Sequence, residues 1–320
     1  MCIRDRYTVG PTLPEVLGTT QPKGNYADLK TKGWELTLSW RDNFKLAGSD
    51  FHYGVKFMLW DSQSWITKYN NATGKLSDYY EGYRIGDIWG YNIEGLFTSY
   101  DEIANHADQD YIKVSDSKIW QPGDLKFADL NGDGKIDKGA QTLSDHGDLV
   151  IVGNEEERYH YGFNLNVGWK GIGISAFFQG VGKRDWYPGQ ETGFFWGKYN
   201  RPYGYSLKMH ENRWTEENPN PNAYWPRLVG YSSENGGRPM GTPNNRYMQD
   251  ASYLRLKALT VDYSLPQAWV SKLGLTGLKI YFTGENLFTF SNVCENFDPE
   301  VIKGGDVDLK DRKGEEQGYS

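Results

Sequence analysis

The stretch "YHYGFNLNVGWK", residues 159–170, decides the fold class of this chain. Apolar residues recur at every second position, and polar residues or glycines fill the positions between them. This period of two is typical of a β-strand with two chemically different faces. The apolar positions are Tyr159, Tyr161, Phe163, Leu165, Val167 and Trp169. The positions between them are His160, Gly162, Asn164, Asn166, Gly168 and Lys170.

The same alternation occurs in five other segments, which we predict to be strands: 31–41, 50–60, 172–180, 253–265 and 278–290. These segments are longer than the ~5–6 residues of an average strand and suit a tilted strand that crosses a bilayer. Aromatic residues end some apolar faces, as Tyr159 and Trp169 do. Such rings settle at the headgroup level of membrane barrels.

Alternation alone also fits a soluble β-sandwich or propeller that buries one face of each sheet. The connections favour a membrane barrel, because short turns follow the strands that end near 41 and 169, whereas 61–157 and 181–252 are long. Outer-membrane barrels have short periplasmic turns and long extracellular loops. Segment 61–157 should then begin and end on the same side of the membrane.

Composition and motifs exclude several classes of function. The net charge of −7 argues against a nucleic-acid partner, which favours basic surfaces. A mean hydropathy of −0.71 together with 15% aromatic residues fits strands whose apolar and polar residues alternate. No zinc-protease, nucleophile-elbow or phosphate-loop motif occurs, so we predict no catalytic residues and no enzyme.

Residues 1–6, "MCIRDR", resemble a string that recurs at the ends of proteins translated from metagenomic assemblies. We therefore expect this hexapeptide to be a non-native translated artefact. Residues 7–320 are accordingly the part of the chain that we expect to be native.

Four segments carry a family resemblance: "FADLNGDGKID", "YHYGFNLNVGWKGIGISAFFQGVGKRDWYP", "YLRLKALTVDYSLP" and "LKIYFTGENLFTFSN" followed by "FDPE". They resemble, in order, the SusC/RagA family of TonB-linked outer-membrane transporters of Bacteroidetes. The resemblance implies an all-β fold, a transmembrane antiparallel barrel of about 22 strands. Residues 7–320 would form its C-terminal part, with long extracellular loops and without the plug domain or the last strand.

The resemblance also implies a function. Such proteins import oligosaccharides or other large nutrients across the bacterial outer membrane, with a SusD-like surface lipoprotein as partner. The TonB complex would act through the plug domain, and outer-membrane lipid would surround the barrel.

The segment "DLNGDGKID", residues 129–137, matches most of an EF-hand calcium loop. The twelfth position is Ala140 instead of glutamate, so a further carboxylate is needed, and Asp145 and Asp148 are the nearest. We predict a structural calcium ion in an extracellular loop. An alternative is a metal-free turn cluster of Asn, Gly and Asp residues. The predicted ligands are Asp129, Asn131, Asp133, Lys135 through its carbonyl, Asp137 and Asp148.

The second long connection is rich in aromatic residues among Pro, Gly and Asn. These rings suit contact with a nutrient or with a partner lid, and internal packing of the loop is an equal alternative. The predicted contact residues are Trp186, Tyr187, Trp196, Tyr199 and Trp225.

A rival interpretation of the whole chain is a secreted, calcium-stabilised carbohydrate-active β-protein, such as a glycosidase or a glycan-binding module. The asymmetric connections and the ordered family resemblance favour the transporter.

Overall fold

The computed structural model describes residues 2–9, 24–112, 119–189, 192–199, 204–228, 240–294 and 296–302. This part of the chain is an antiparallel sheet with its long connections packed together at one end. The strands are β1 (Cys2–Val9), β2 (Gly24–Leu46), β3 (Ser49–Tyr69), β4 (Asp87–Gly90), β5 (Ile93–Leu96), β6 (Leu125–Phe127), β7 (Val150–Asn154), β8 (Arg158–Trp169), β9 (Ile172–Lys183), β10 (Asp185–Trp186), β11 (Gln249–Asp250), β12 (Tyr253–Ser264) and β13 (Lys279–Ser291).

Helices are few and short. The α-helices are α1 (Tyr100–Ala104), α2 (Gly193–Trp196) and α3 (Gln267–Val270). Single 3-10 turns cover Asp110–Ile112, Gly197–Tyr199, Lys208–Glu211 and Ser271–Leu273. None of the helices in the described ranges has both the length and the apolar character needed to cross a bilayer.

The main sheet has seven strands in the order β1-β2-β3-β8-β9-β12-β13, and every pair is antiparallel. The six predicted strands and the all-β class are confirmed. Three strands are longer than predicted: segment 31–41 lies within β2, segment 50–60 lies within β3, and β9 continues beyond 180 to Lys183. The seventh strand, β1, pairs with β2, and the origin of residues 1–6 stays a prediction.

The register of the sheet aligns the alternation of one strand with that of the next. A row of directly opposed residues on one face, the apolar face, comprises Leu38, Phe57, Phe163, Phe178, Leu256 and Phe288. The neighbouring row on the other face, the polar face, comprises Ser39, Lys56, Asn164, Phe177, Ala258 and Glu285. The sheet from β2 to β13 therefore has two faces of different chemistry.

The apolar face has no covering layer within the described part of the chain. In β2, Trp34, Leu36, Leu38 and Trp40 are 47%, 42%, 56% and 62% exposed. The other sheets in the described ranges have two strands each and lie in the long connections. A soluble sandwich would cover such a face with a second sheet, so the structure gives this alternative no support.

Two-residue turns connect β2 to β3 and β8 to β9. Ala47 and Gly48 have φ of 49° and 76°, and Lys170 and Gly171 have φ of 51° and 83°. Two positive φ values in succession define the type I′ turn, whose twist matches that of the flanking strands. We call this edge of the sheet the turn end.

The long connections lie at the opposite edge, the loop end. Because β3 and β8 are antiparallel neighbours, the connection between them leaves and returns at the loop end, as the strand parity predicts. Within it, β4 pairs with β7 and β5 pairs with β6, so none of these short strands enters the main sheet.

Substituting glycines at the turn end should separate backbone strain from steric clash. Gly171→Ala adds a Cβ 2.7 Å from the Ser264 carbonyl oxygen at positive φ, whereas Gly48→Ala meets nothing within 4 Å. We expect Gly171→Ala to lower the free energy of unfolding by about 2 kcal/mol or more, and Gly48→Ala to lower it by about 1 kcal/mol. The matched control Gly277→Ala has neither problem and should change stability by less than about 1 kcal/mol. Urea unfolding of the full-length protein in detergent measures all three, and equal losses would contradict this account of the turn.

Candidate functional site

The long connections form one structure, the loop domain, which comprises the described parts of 70–157, 184–252 and 292–302. Its first and second connections interlock through backbone contacts. Tyr91 N–H donates to the Pro243 carbonyl over 2.9 Å, and Ile93 N–H donates to Asn245 Oδ1 over 2.8 Å. The loop domain is therefore held together by contacts far apart in sequence.

The larger of two buried clusters in the described part of the loop domain draws on both connections, and the smaller one comprises Trp186, Ala251 and Val293. The buried residues of the larger cluster are Tyr91, Ile93, Leu96, Ile112, Leu125, Phe127, Ile136, Leu149, Tyr187, Phe195, Trp196, Tyr199, Trp214, Ala223, Trp225, Met240 and Tyr247. Aromatic rings supply much of this core, which suits a structure with few regular elements because each ring buries 150–250 Å².

Trp225 lies at the centre of the aromatic packing. Its ring stacks on Tyr199 at 5.1 Å between centroids and on Tyr247 at 5.2 Å. The Trp196 ring meets it edge to face at 6.0 Å. The indole nitrogen of Trp225 donates to the Met209 carbonyl over 2.9 Å, so its polar atom is also satisfied.

All five predicted contact residues belong to this packing or border it. Trp186, Tyr187, Trp196, Tyr199 and Trp225 are 5%, 2%, 0%, 2% and 0% exposed. Such burial gives the rings a structural role that needs no ligand, in line with the internal-packing alternative. Contact of these residues with a nutrient or a partner stays a prediction. Because the five rings are buried, the loop domain would have to rearrange before a ligand could reach them.

His210 was not among the predicted site residues, yet it is buried in the same core at 2% exposure. Its Nδ1 accepts a hydrogen bond from Leu207 N–H over 2.9 Å, which leaves Nε2 to donate to the Phe195 carbonyl over 2.8 Å. Burial, and to a lesser degree the nearby Arg213, lowers the pKa of His210. The bond that Nδ1 accepts requires the neutral ring, and burial favours the same state, so the core holds this histidine uncharged.

The predicted calcium ligands lie in one loop whose oxygens bind backbone N–H groups. Asp129 accepts from Gly132 over 2.7 Å and from Gly134 over 2.9 Å. Asp133 accepts from Lys135 N–H over 2.8 Å. These bonds impose a tight turn sequence of the kind that Asn, Asp and Gly residues form.

Asp148 closes this loop from a distance. Its carboxylate is 0% exposed, and its two oxygens accept from Leu130 N–H over 2.8 Å and from Asp137 N–H over 2.9 Å. One buried carboxylate thus joins the beginning and the end of the motif. In the described ranges, no group of three or more His, Cys, Asp or Glu side chains is arranged to hold a metal ion. The donor chemistry suits calcium, but the arrangement does not require it.

Ion pairs attach the segment after β13 to strand β12 of the main sheet. On the polar face of β12, Arg255 pairs with Asp298 at 2.5 Å and also with Glu300, and Lys257 pairs with Glu300 at 2.7 Å. Arg184 donates to the Ile302 carbonyl over 2.6 Å. The motif "FDPE", residues 297–300, therefore fastens the loop domain to β12 at the loop end.

Comparison with known proteins agrees with the fold. No protein-family model matches the chain. Two TonB-dependent receptors of Formosa agariphila, P3 and P26, are 26% and 27% identical to it, each over 90% of this chain. A third, receptor P39, is 22% identical over 92% of the chain. The chain spans 27% of the length of the first two relatives and 30% of the third.

Solved structures with a similar fold include those of a transporter named RagAB. The RagAB peptide transporter matches with a TM-score of 0.64 and 18% identity, over 93% of this chain and 29% of that chain. The open-open state of the RagAB peptide importer matches with a TM-score of 0.63 over 94% of this chain and 29% of that chain, at 18% identity. The receptor relatives and this fold confirm the resemblance to the SusC/RagA type of TonB-dependent transporter.

The neutral state of His210 predicts how the loop domain responds to acid. Because the folded state lowers the pKa of His210, the unfolded chain binds the proton more readily, and the stabilising contribution is complete only above about pH 6.5. As the pH falls below this value, the loop domain should lose up to about 1.4 kcal/mol per pH unit. Tryptophan fluorescence during thermal unfolding at pH 7.5 and pH 5 measures the loss.

Two variants test the assignment to this side chain. His210→Gln does not titrate and should flatten the pH dependence between pH 7.5 and pH 5. His52→Gln alters an exposed histidine of β3 and should leave the dependence as it is. A pH dependence that is identical in His210→Gln and the unmodified protein would refute the role of His210.

Proposed function

We propose that this relative of TonB-dependent receptors forms part of the wall and the extracellular loops of a nutrient importer in the bacterial outer membrane. One observation carries the proposal: the apolar face is continuous from β2 to β13, and no described residue layer covers it. Lipid is the environment that such a face requires. The polar face, with Lys56, Asn164 and Glu285 in one row, would then line the lumen.

The height of the apolar face supports a bilayer as its environment. On β2 it extends from Trp34 to Leu46, with an apolar residue at every second position except that of Asp42. At about 3.3 Å per residue this stretch is about 40 Å long, and a tilt of about 40° reduces its height to about 30 Å. The hydrocarbon core of a bilayer is about 30 Å thick. Tyr263 and Trp169 lie near the turn end of the apolar face, and Trp34 lies near its loop end. Amphipathic rings are favoured at both levels of a bilayer.

Substrate and partners are part of the same proposal. Oligosaccharides or other large nutrients would be captured at the loop end, and import of oligosaccharides would amount to glycan uptake. The similar RagAB structures are a peptide transporter and a peptide importer. A SusD-like surface lipoprotein would cover the loop domain. The TonB complex would act on a plug domain, which the described strands do not contain.

Fractionation of cells that express the full-length receptor tests this function. An outer-membrane importer should require detergent for extraction and should migrate faster in gels before boiling than after it, because the folded barrel resists denaturation. A protein recovered in the soluble secreted fraction with glycosidase activity would instead establish the rival function.

Charge substitution tests which face meets lipid. Phe163→Arg and Leu165→Arg place a charge on the apolar face of β8, and we expect each to cost about 2–4 kcal/mol near the midplane. Asn166→Arg is the matched control on the polar face, where its strand neighbours Gly54 and Ser175 are uncharged, and it should cost less than about 1 kcal/mol. Folding titrations in phospholipid vesicles measure the differences. Equal costs on the two faces would show that the faces are misassigned.

The calcium ion predicted for residues 129–137 is the further part of this proposal, supported by the oxygen-rich sequence of the loop. We expect such a site to bind calcium with a Kd of about 0.1–1 mM. Free calcium at about 10 to 100 times this Kd should raise the free energy of unfolding by about 1.4–2.7 kcal/mol. Asp133→Ala, which removes the ligand oxygen, should remove this effect of calcium. Asp148→Asn should destabilise the loop by about 1–3 kcal/mol with or without calcium, because it removes a buried acceptor. If calcium leaves the unfolding temperature of the unmodified protein unchanged, the loop is a metal-free turn cluster.

A further inference from the structure

The connection between β12 and β13, residues 265–278, differs from the other connections at the turn end. The neighbouring hairpins use two-residue turns, whereas this connection contains α3 and the 3-10 turn Ser271–Leu273. Its apolar side chains point away from the protein: Trp269, Leu273 and Leu275 are 60%, 69% and 46% exposed. Val270 alone among its residues is buried, at 1% exposure. We call residues 265–278 the apolar connection.

The apolar connection continues the apolar face of the sheet. Tyr263 lies opposite Ile280 on this face at the turn end. Leu265 and Leu278 lie two positions beyond Tyr263 and Ile280, just outside β12 and β13, so the alternation continued by these positions places them on the same face. Leu265 N–H donates to the Leu278 carbonyl over 2.9 Å, which closes the base of the connection. The exposed side chains therefore follow directly from the surface that we assign to lipid.

The apolar connection and the adjacent turn each carry a lysine, and the lysine of the turn, Lys170, lies over the Trp169 ring at 4.6 Å from its centroid. The apolar connection contains no acidic residue, and Lys272 is its one charged residue. Lys170 lies in the adjacent turn, where Ser264 N–H donates to the Gly171 carbonyl over 2.7 Å. Neither lysine forms an ion pair with the described residues. By contrast, Lys45 pairs with Asp50 at 2.6 Å and Lys279 pairs with Asp262 at 2.9 Å.

We propose that the apolar connection is a membrane anchor that lies in the headgroup region of the phospholipid leaflet at the turn end. This inference rests on the proposed function. Trp269, Leu273 and Leu275 enter the boundary between headgroups and acyl chains, a position that favours Trp and short amphipathic segments. Lys170 and Lys272 extend to lipid phosphates, since lysine side chains keep their ammonium groups at the polar level.

Lipid fits this surface better than a protein partner does. Continuity with the apolar face places the side chains at the level where hydrocarbon ends. Exposed apolar residues, a connection without a carboxylate, and two lysines outside the ion pairs of the described residues match the chemistry of an anionic leaflet. In lipid, the anchor would fix the height of the β12–β13 hairpin relative to the bilayer.

Fluorescence quenching of a single labelled site tests the anchor. The full-length receptor, with its native cysteines replaced by serine, carries Leu273→Cys labelled with a nitrobenzoxadiazole dye. It is reconstituted into vesicles of phosphatidylethanolamine and phosphatidylglycerol. A nitroxide on a shallow acyl carbon should quench the dye strongly, whereas aqueous iodide should quench it weakly.

Two control sites separate this inference from the proposed function. Phe163→Cys lies in the apolar face of β8 and should be quenched by a deep acyl nitroxide. Leu143→Cys is 43% exposed in the loop domain and should be quenched by iodide. If Phe163 shows no lipid quenching, the proposed function itself fails. If Phe163 is quenched by lipid but Leu273 is quenched by iodide, or is shielded from both quenchers, the anchor is overturned.

The lysines are tested by lipid preference. Nitroxide-labelled phosphatidylglycerol should quench the Leu273 dye about two- to fivefold more effectively than labelled phosphatidylcholine. The double variant Lys170→Gln, Lys272→Gln should remove this preference without removing the quenching. An unchanged preference in the double variant would contradict the assignment of phosphate contacts to these lysines.

Discussion

Hydrogen bonding between neighbouring strands, in a single register, is the constraint on which the rest of this structure depends. Backbone groups in hydrocarbon have no water to bind, so each must find its partner within the protein. The register also sorts the side chains, because a slip of one residue exchanges the two faces of a strand. Such a slip in β8 would turn Asn164 and Asn166 towards the apolar face and would remove its lipid-compatible surface.

The sheet keeps its faces consistent even where the alternation changes phase. In β12, Leu254 and Leu256 share a face with Leu259 and Val261, although Leu256 and Leu259 are three positions apart and strict alternation would place them on opposite faces. The register shifts between Leu256 and Ala258 against both neighbouring strands. The bulge therefore absorbs the extra residue, and Lys257 is freed to pair with Glu300 at the loop end.

The loop domain is held together differently, because few of its backbone groups pair in regular strands or helices. Aromatic rings from both long connections pack into a shared core, and their polar atoms bind carbonyl groups within that core. Tyr199 OH donates to the Pro226 carbonyl over 2.8 Å, for example. Because each connection supplies part of the core, neither would be expected to keep its shape without the other.

The sequence predicts the parts of the fold that depend on local periodicity. Alternation identified six strands of the main sheet, and connection lengths identified its two ends. The polar stretch at the beginning of β2 has no clear alternation, so its extension to Gly24 could not be predicted. The partners of Trp225, such as Tyr247, could not be predicted either, because such contacts depend on how two loops meet. The spacing of 129–137 identified the oxygen-rich loop, but only the structure shows that Asp148 joins its two ends.

The central claim is that the sheet crosses the outer membrane with the loop domain outside the cell. Single cysteines at Leu143, in the loop domain, and at Lys45, which is 69% exposed at the turn end, test it directly. Each is introduced into the full-length receptor without its native cysteines and treated with a membrane-impermeant maleimide on whole cells. Leu143→Cys should be labelled on intact cells, and Lys45→Cys should be labelled only after permeabilisation. Labelling of both sites on intact cells, or of Lys45→Cys alone, would contradict the claim.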